Sequence, residues 1–291
     1  MEKNQFKYFP AKVLLFGEYT ALLQSDILAV PLERFQGSWK FKRGTDNKVL
    51  VSLGRYLEKS AFSGLFDRDL FLKDLEHGLY FDSDIKPGFG IGSSGALSAA
   101  VFYRYYRHEY ATLEKLKEIL ASIESFFHGT SSGIDPLVSY MHKGVYSAKN
   151  KITVVDPAYN GKNYFSLLDS GIRRSTGKFV AIFKEKQKNP VFLKKALMPL
   201  TKLNNTIIKE YLDKKDENVF ELFHKISQIQ FDFFKEMIPG KLLDIWEKSL
   251  SLPDMKIKLC GAGGGGYFLI VSKDKRLPGW VKEQFEIIEN I

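Results

Sequence analysis

Cysteine is nearly absent from this sequence, since Cys260 is the single one in 291 residues. One cysteine forms no internal disulfide, and such scarcity is typical of proteins from a reducing compartment. Residues 1–10 lack the apolar core of a secretory signal peptide. No apolar run approaches the roughly 18 residues that a membrane-spanning helix needs. We therefore expect a cytoplasmic protein without a membrane partner.

The length and composition predict a globular protein of two domains. Domains usually contain about 100–200 residues, and 44% apolar with 26% charged residues is an ordinary composition for them. Changes in the sequence pattern divide the chain into an N-terminal domain, residues 1–163, and a C-terminal domain, residues 164–291.

Acidic residues are the minority among the charged ones, with 34 against 43 lysines and arginines. The net charge of +9 favours anionic ligands such as nucleotides, phosphorylated metabolites or nucleic acids. Nine lysines lie between residues 184 and 215, but no nucleic-acid-binding motif accompanies them. We interpret them as a solvated helix face and expect no nucleic acid partner.

Hydrophobic patterns predict a mixed α+β fold. A helix is expected over about 94–106, and a second opens at Thr112 with an apolar stripe that includes Leu116 and Leu120. A third packed helix is expected around Phe223. Short apolar runs predict buried strands at 12–17, 27–32, 164–169, 178–183, 256–259 and 267–271.

The segment 88–95 is rich in glycine and reads Gly-Phe-Gly-Ile-Gly-Ser-Ser-Gly. Glycines let the backbone approach a ligand, and N–H groups at a helix start bind anions. The polar residues before it do not fit the first strand of a dinucleotide-binding fold, and Ala96 stands where a Walker loop needs lysine. A phosphate-binding loop and a tight turn capped by serine both stay open.

A second glycine-rich segment, 261–266, lies between two apolar runs, unlike a flexible linker. A structural hairpin and a crowded functional loop both fit this pattern. Cys260 directly precedes it, and we expect a bulky thiol reagent at Cys260 to abolish activity.

Two carboxylates, Glu124 and Asp135, are candidates for chemistry. Glu124 falls at the edge of the apolar stripe of its helix, where a carboxylate is either solvated or needs a partner such as a metal or lysine. Asp135 precedes Pro136, an order typical of an N-cap aspartate followed by proline at the first helical position. The local pattern favours the capping role.

Three segments in this order resemble the motifs of the GHMP kinases, a superfamily of small-molecule kinases. Residues 11–18 resemble the first motif, 87–96 the phosphate loop and 258–266 the third motif. Mevalonate kinases are the most similar members, because 124–135 resembles their metal glutamate and His-Gly-x-x-Ser-Gly-x-Asp segment. Residues 169–176 resemble the Arg-Ser-Thr strand that opens their C-terminal domain.

The resemblance implies a two-domain α+β fold. Its N-terminal domain contains a left-handed βαβ unit, against the usual hand, and its C-terminal domain is ferredoxin-like. The implied activity is transfer of the γ-phosphate of ATP to the primary hydroxyl of mevalonate, with ATP and Mg²⁺ as cofactors. A homodimer is compatible with the resemblance.

The resemblance also implies roles for single residues. Asp135 accepts or orients the proton of the substrate hydroxyl, Lys12 stabilises the ionised carboxylate, and Ser94 and Glu124 hold Mg²⁺. The phosphate-binding residues are Pro87, Gly88, Gly90, Gly92, Ser93, Ser94, Gly95 and Ala96. The acceptor-binding residues are Glu18, Tyr19, Ser132, Gly133, Thr176, Gly263 and Gly264.

Some positions depart from the mevalonate kinase pattern. Tyr19 stands where histidine is usual, Gln24 replaces a glycine, and Thr130 and Ser131 stand where Asn-Pro is common. These departures leave the ATP chemistry intact and the acceptor open, so phosphomevalonate or a sugar are alternatives. A non-catalytic nucleotide-binding regulator and a nicotinamide oxidoreductase are alternatives of other classes.

Overall fold

The structure is a computed structural model of the chain. It describes residues 7–23, 25–107, 110, 112–149, 151–156, 161–174, 176–214 and 218–291, and it leaves the side chain of Thr176 undescribed. Gln24, one of the departures noted above, lies outside the described residues.

The N-terminal half contains one antiparallel sheet. Its strands are β1 (Tyr8–Phe16), β2 (Ile27–Phe41), β3 (Leu79–Ser83), β4 (Gly144–Ala148) and β5 (Lys151–Val155). The order is β1-β2-β4-β5, and β3 pairs with a different stretch of the long β2 from the stretch that β4 uses. Because β3 and β4 are both antiparallel to β2, they run parallel to each other, as a βαβ connection requires. The handedness of that connection stays a prediction.

The helices of this half connect and cover the strands. They are α1 (Lys48–Leu57), α2 (Arg68–Glu76), α3 (Ser93–Tyr105), α4 (Leu113–His128) and α5 (Ile134–Met141). α3 packs against α4, α5 and β1. Small residues allow close packing, since a Cβ atom on Gly95 would lie 2.9 Å from the Cβ atom of Asp135. The start of α5 therefore lies directly against the start of α3.

The C-terminal half has its own antiparallel sheet. Its strands are β6 (Tyr164–Asp169), β7 (Met255–Leu259), β8 (Tyr267–Ser272) and β9 (Glu286–Ile288), in the order β7-β8-β6-β9. Its helices are α6 (Thr176–Lys186), α7 (Pro190–Phe192), α8 (Met198–Leu212), α9 (Val219–Phe233), α10 (Gly240–Ser251) and α11 (Gly279–Lys282). A π-helical turn, Leu193–Leu197, joins α7 to α8. Helices separate β6 from β7 and β8 from β9, which is the β-α-β-β-α-β pattern of ferredoxin-like domains and confirms the predicted fold class.

The chain passes from one sheet to the other between Val155 and Tyr164, and the domain boundary at 163 stays a prediction. The two halves are in contact near the first glycine-rich segment. The Nζ atom of Lys86 lies 2.9 Å from Oδ2 of Asp169, and the backbone N–H of Arg174 donates to the carbonyl of Gly88. In the described part of the chain, no helix combines the length and apolarity needed to cross a bilayer.

The strand predicted at 178–183 is wrong, because these residues belong to α6. Phe179 and Phe183 are one helical turn apart and reach different partners. The ring of Phe183 lies 4.4 Å from that of Tyr19, and Phe179 packs against Gly264. A short apolar run fits a strand or a buried helix equally well, and here the tertiary contacts select the helix.

Candidate active site

Lys12 and Asp135 lie side by side in the cleft between the two halves. The backbone N–H of Lys12, on β1, donates to the carbonyl of Ile91 at 2.9 Å. The ammonium Nζ lies 2.9 Å from Oδ2 of Asp135. The lysine side chain is 9% exposed and the aspartate side chain 32%, so the carboxylate is reachable from solvent while its partner is buried. A carboxylate in this position is within reach of a hydroxyl from which it could accept a proton.

The capping role that the local pattern favours for Asp135 is wrong. The N-cap of α5 is Gly133, whose φ of 73° is left-handed, and Asp135 is the second helical residue. A Cβ atom on Gly133 would lie 2.5 Å from the carbonyl of Lys117, so the turn needs glycine. This turn brings the Asp135 carboxylate round to Lys12 instead of to its own backbone.

The first glycine-rich segment leads into the N-terminus of α3. Gly88, Gly90 and Gly92 all have left-handed φ values, of 82°, 80° and 79°. Gly92 is the N-cap, and no described side chain caps the helix, which makes the alternative of a serine-capped turn wrong. The first N–H groups of α3 are therefore available to an anion, which the helix dipole also favours. Ala96 lies one turn inside the helix, and its N–H donates to the carbonyl of Gly92.

Glu124 lies next to Ser94 and is buried, so the alternative of a solvated helix edge is wrong. Ser94 donates to Oε1 of Glu124 at 3.0 Å, and Ser131 donates to Oε2 at 2.5 Å. On its other side, the Ser94 hydroxyl lies 2.9 Å from Nε2 of His128. The hydroxyl and carboxylate that were predicted to hold a metal are thus in direct contact.

The electrostatic environment of Glu124 favours a cation. Burial, and then the nearby Asp135 carboxylate, raise the pKa of Glu124 to about 7, although hydrogen bonds from Ser131 and Ser94 lower it. A carboxyl group held so close to protonation at neutral pH would be stabilised as the anion by a divalent ion. Among the described residues no group of three or more His, Cys, Asp or Glu is placed to hold a metal. The adjacent hydroxyl and carboxylate of Ser94 and Glu124 fit Mg²⁺, which commonly takes one or two protein ligands together with phosphate oxygens.

Arg174 joins the two glycine-rich segments. A Cβ atom on Gly90 would lie 2.1 Å from its guanidinium carbon, and one on Gly261 would lie 2.5 Å from Nη1. Nη1 donates to the carbonyl of Cys260 at 3.1 Å. Burial lowers the pKa of Arg174, with the negative charge of Asp135 acting in the opposite direction. No carboxylate in the described part of the chain forms an ion pair with it, so this guanidinium is suited to an anionic ligand.

Glu18 and Tyr19 face protein groups. Both are buried, and the carboxylate of Glu18 accepts a hydrogen bond from the ammonium of Lys258 on β7. The Tyr19 hydroxyl donates to the carbonyl of Ala262 at 2.5 Å, and its ring lies 5.4 Å from that of Phe234. The acceptor-binding roles of Glu18 and Tyr19 stay predictions, since their polar atoms are engaged inside the protein.

The remaining predicted acceptor residues lie in turns around the cleft. The Ser132 hydroxyl accepts from the N–H of Ile134 at 3.3 Å and is exposed. Gly263 and Gly264 pack against Met237, whose carbonyl accepts from the N–H of Gly264. Thr176 begins α6, but its side chain lies outside the description. Their roles in binding stay predictions.

The structure reverses the expectation for Cys260. Its side chain is buried, and its thiol lies 3.6 Å from the carbonyl oxygen of Leu14. Burial raises its pKa, which lowers the fraction of reactive thiolate. We therefore no longer expect it to be reactive in the folded protein.

Three functional side chains escaped prediction as site residues. Ser131 stands at a position that departs from the family pattern, and its hydroxyl donates a hydrogen bond to the Glu124 carboxylate. Arg174 and Lys258 both lie within segments that resemble family motifs, so their residue types were visible. Their partners lie at the two glycine-rich segments and in the turn after β1, so they are distant in sequence and become evident only in the folded chain.

Comparisons with known proteins agree with this geometry. Residues 48–143, which include the phosphate loop, Glu124 and Asp135, match the family model described as the GHMP kinases N terminal domain. Residues 48–143 thus resemble the N-terminal domain of the GHMP kinases. Members of this family are phosphotransferases with hydroxyl acceptors. No curated protein matches the chain by sequence.

Solved structures of GHMP kinases share its fold over nearly the whole chain. A mevalonate kinase from L. major, in complex with R-mevalonate, is 19% identical, with a TM-score of 0.61 over 95% of this chain and 88% of that one. A phosphomevalonate kinase from Streptococcus pneumoniae, in complex with phosphomevalonate and AMPPNP, is 14% identical, with a TM-score of 0.65 over 96% of this chain and 94% of that one. A galactokinase from Lactococcus lactis, complexed with galactose, is 14% identical, with a TM-score of 0.62 over 98% and 93%.

Proposed function

We propose that this chain is an ATP-dependent kinase that transfers the γ-phosphate to the primary hydroxyl of mevalonate, with Mg²⁺. The observation that carries the proposal is the placement of the Lys12–Asp135 pair beside the uncapped N-terminus of α3. A proton acceptor and a phosphate-binding helix end are thereby close enough to act on the two reactants of one transfer.

The residues present fit a magnesium nucleotide. No described side chain caps the N–H groups at the start of α3, and the glycines Gly88, Gly90 and Gly92 pack directly against the cationic side chains of Arg173, Arg174 and Lys12, which favour an anion. Ser94 and Glu124 would hold Mg²⁺, and the raised pKa of Glu124 supports this role, because a bound cation would stabilise its anionic form. Bound there, MgATP supplies the phosphoryl group and part of the charge neutralisation.

The protein contributes positioning and electrostatics to the reaction. Asp135 is placed to accept the proton of the acceptor hydroxyl, and the Lys12 ammonium holds the carboxylate in position. The Arg174 guanidinium and the N-terminus of α3 face the region in which negative charge develops. Covalent participation of the protein is not needed for phosphoryl transfer.

The charges around the cleft support an anionic acceptor over a neutral sugar. Arg174 forms no ion pair with a carboxylate among the described residues, whereas two side chains that were predicted to bind the acceptor, Glu18 and Tyr19, are bonded to other protein groups. Glu18 is paired with Lys258, and the Tyr19 hydroxyl is bound to Ala262. Mevalonate carries a carboxylate as well as a primary hydroxyl, so it matches a site of this kind.

An acceptor panel tests the proposal. The purified protein is incubated with MgATP and mevalonate, phosphomevalonate or galactose in turn, and ADP formation is measured. Mevalonate should give the highest kcat/KM, and ADP formation without an acceptor should be negligible. A higher kcat/KM for another acceptor would overturn the choice of mevalonate, and no acceptor-dependent ADP formation would overturn the kinase proposal for this panel.

A further inference from the structure

A buried lysine of the C-terminal half, Lys258, contacts the end of β1 and the turn that follows it. The ammonium of Lys258 donates to the carboxylate of Glu18, and it lies 5.4 Å from the ring centroid of Phe16, the last residue of β1. The side chains of Lys258 and Glu18 are 0% and 4% exposed. Lys258 also donates to the carbonyl of Leu259 at 2.8 Å, which fixes the ammonium against its own strand.

The segment that this lysine holds has an unusual backbone. Gly17 has a φ of 120° and Tyr19 a φ of 59°, and a bulky residue rarely adopts a left-handed conformation without support from its surroundings. Tyr19 receives that support from the third motif, through its hydroxyl bond to Ala262. Two consecutive residues, Glu18 and Tyr19, are therefore both bound to the segment 258–262.

A buried ion pair is a poor way to gain stability, because two well-packed apolar residues often serve as well or better. Its effect here is geometric. β1 is tied to the phosphate loop by the bond from the Lys12 N–H to Ile91, and its C-terminal end is tied to β7 by Lys258. The first of these hydrogen bonds is made by Lys12 itself, whose side-chain ammonium contacts Asp135.

We propose that Lys258 and Glu18 are a positioning pair, which holds the turn after β1 against β7, directly before the second glycine-rich segment, and thereby sets the place of the Lys12 ammonium beside Asp135. In its catalytic consequence this inference rests on the proposed kinase function. Its structural part, the restraint on the turn after β1, is measurable without any turnover.

The test compares two buried lysines on the same strand. Lys256, two residues before Lys258, donates to the carbonyl of Ser249 at the end of α10 and contacts no residue of the site. Lys258→Met and Lys256→Met thus remove the same charge from neighbouring buried places. We expect Lys258→Met to lower kcat by about 10²-fold, as a small misplacement of a reacting group does, while Lys256→Met keeps kcat and loses only thermal stability.

A double-mutant comparison asks whether the effect passes through Lys12. In a Lys12→Met background, Lys258→Met should lower kcat by less than about threefold, because residues that act as a unit are not additive. Full multiplication of the two effects, or a kcat for Lys258→Met within about twofold of wild type, would overturn the proposal. If Lys258→Met does not fold, Glu18→Met/Lys258→Met removes both charges together and is measured in its place, with the same expected loss of kcat.

Amide hydrogen exchange separates this inference from the proposed function. The N–H groups of Thr20, Ala21 and Leu22 are bonded within the turn after β1. They should exchange faster in the Lys258 variant than in wild type, and at the wild-type rate in Lys256→Met, whether or not mevalonate is the acceptor. Unchanged exchange at these three amides in the Lys258 variant would overturn the positioning pair even if the kinase proposal holds.

Discussion

The Nζ atom of Lys12 lies 2.9 Å from Oδ2 of Asp135, while the capping position of α5 belongs to Gly133. The carboxylate therefore serves the cleft and not the helix. Asp135→Asn keeps the size of the side chain and removes its capacity to accept a proton, so kcat should fall by about 10²–10⁴-fold with little change in Tm.

Asp67 provides the matched control for this substitution. It is the true N-cap of α2, where its side chain accepts from the N–H of Leu70 at 3.1 Å. Asparagine caps about as well as aspartate, so Asp67→Asn should leave both kcat and Tm near wild type. Steady-state kinetics and thermal unfolding measure both variants, and turnover of Asp135→Asn within a few-fold of wild type would remove the residue from the mechanism.

Glu124→Gln should separate function from stability. Glutamine removes a buried charge that is unfavourable without a cation, so the Tm of the free protein should stay the same or rise. The Mg²⁺ concentration for half-maximal nucleotide binding should rise by about tenfold or more, because substitution of residues at a metal site typically weakens metal affinity by about 10–100-fold. Titration of nucleotide binding with Mg²⁺ measures it, and Glu118→Gln, on the exposed face of the same helix, is the control.

Gly261→Ala tests the packing of Arg174 between the glycine-rich segments. The new Cβ atom would lie 2.5 Å from Nη1 at a φ of 83°, a conformation that costs alanine about 1–2 kcal/mol. We expect both kcat and Tm to fall. Gly240→Ala, at a glycine with open space around it, should change neither by much. Wild-type kcat for Gly261→Ala would show that the place of the guanidinium is not critical.

Cys260 should react slowly with thiol reagents in the folded protein. Burial shields the thiol and raises its pKa, and both effects reduce attack by the thiolate. Reaction with a bulky disulfide reagent should be complete in denaturant and incomplete over the same period without it. Rapid modification of the native protein, with loss of activity that MgATP slows, would instead restore the accessible cysteine that the sequence predicts.

Much of the chemistry was predictable from the sequence because it is carried by local patterns. Glycines followed by Ser93 and Ser94 require a tight loop at a helix start, and the stripe from Thr112 requires a helix that buries one face. The second glycine-rich segment, 261–266, lies between two apolar runs and connects the paired strands β7 and β8. Local backbone sterics and hydrophobic periodicity decide such features, and both are written in consecutive residues.

Only the tertiary structure decided which side chains act together. Asp135 caps no helix because the left-handed Gly133 starts α5 two residues earlier than Pro136 suggests, and the Asp135 carboxylate then contacts Lys12. Residues 178–183 form a helix because Phe183 packs against Tyr19. The burial of Glu124 and the ion pair between Lys258 and Glu18 likewise depend on elements far apart in sequence. Burial and charge pairing are properties of the assembled core, so a pattern of neighbouring residues does not determine them.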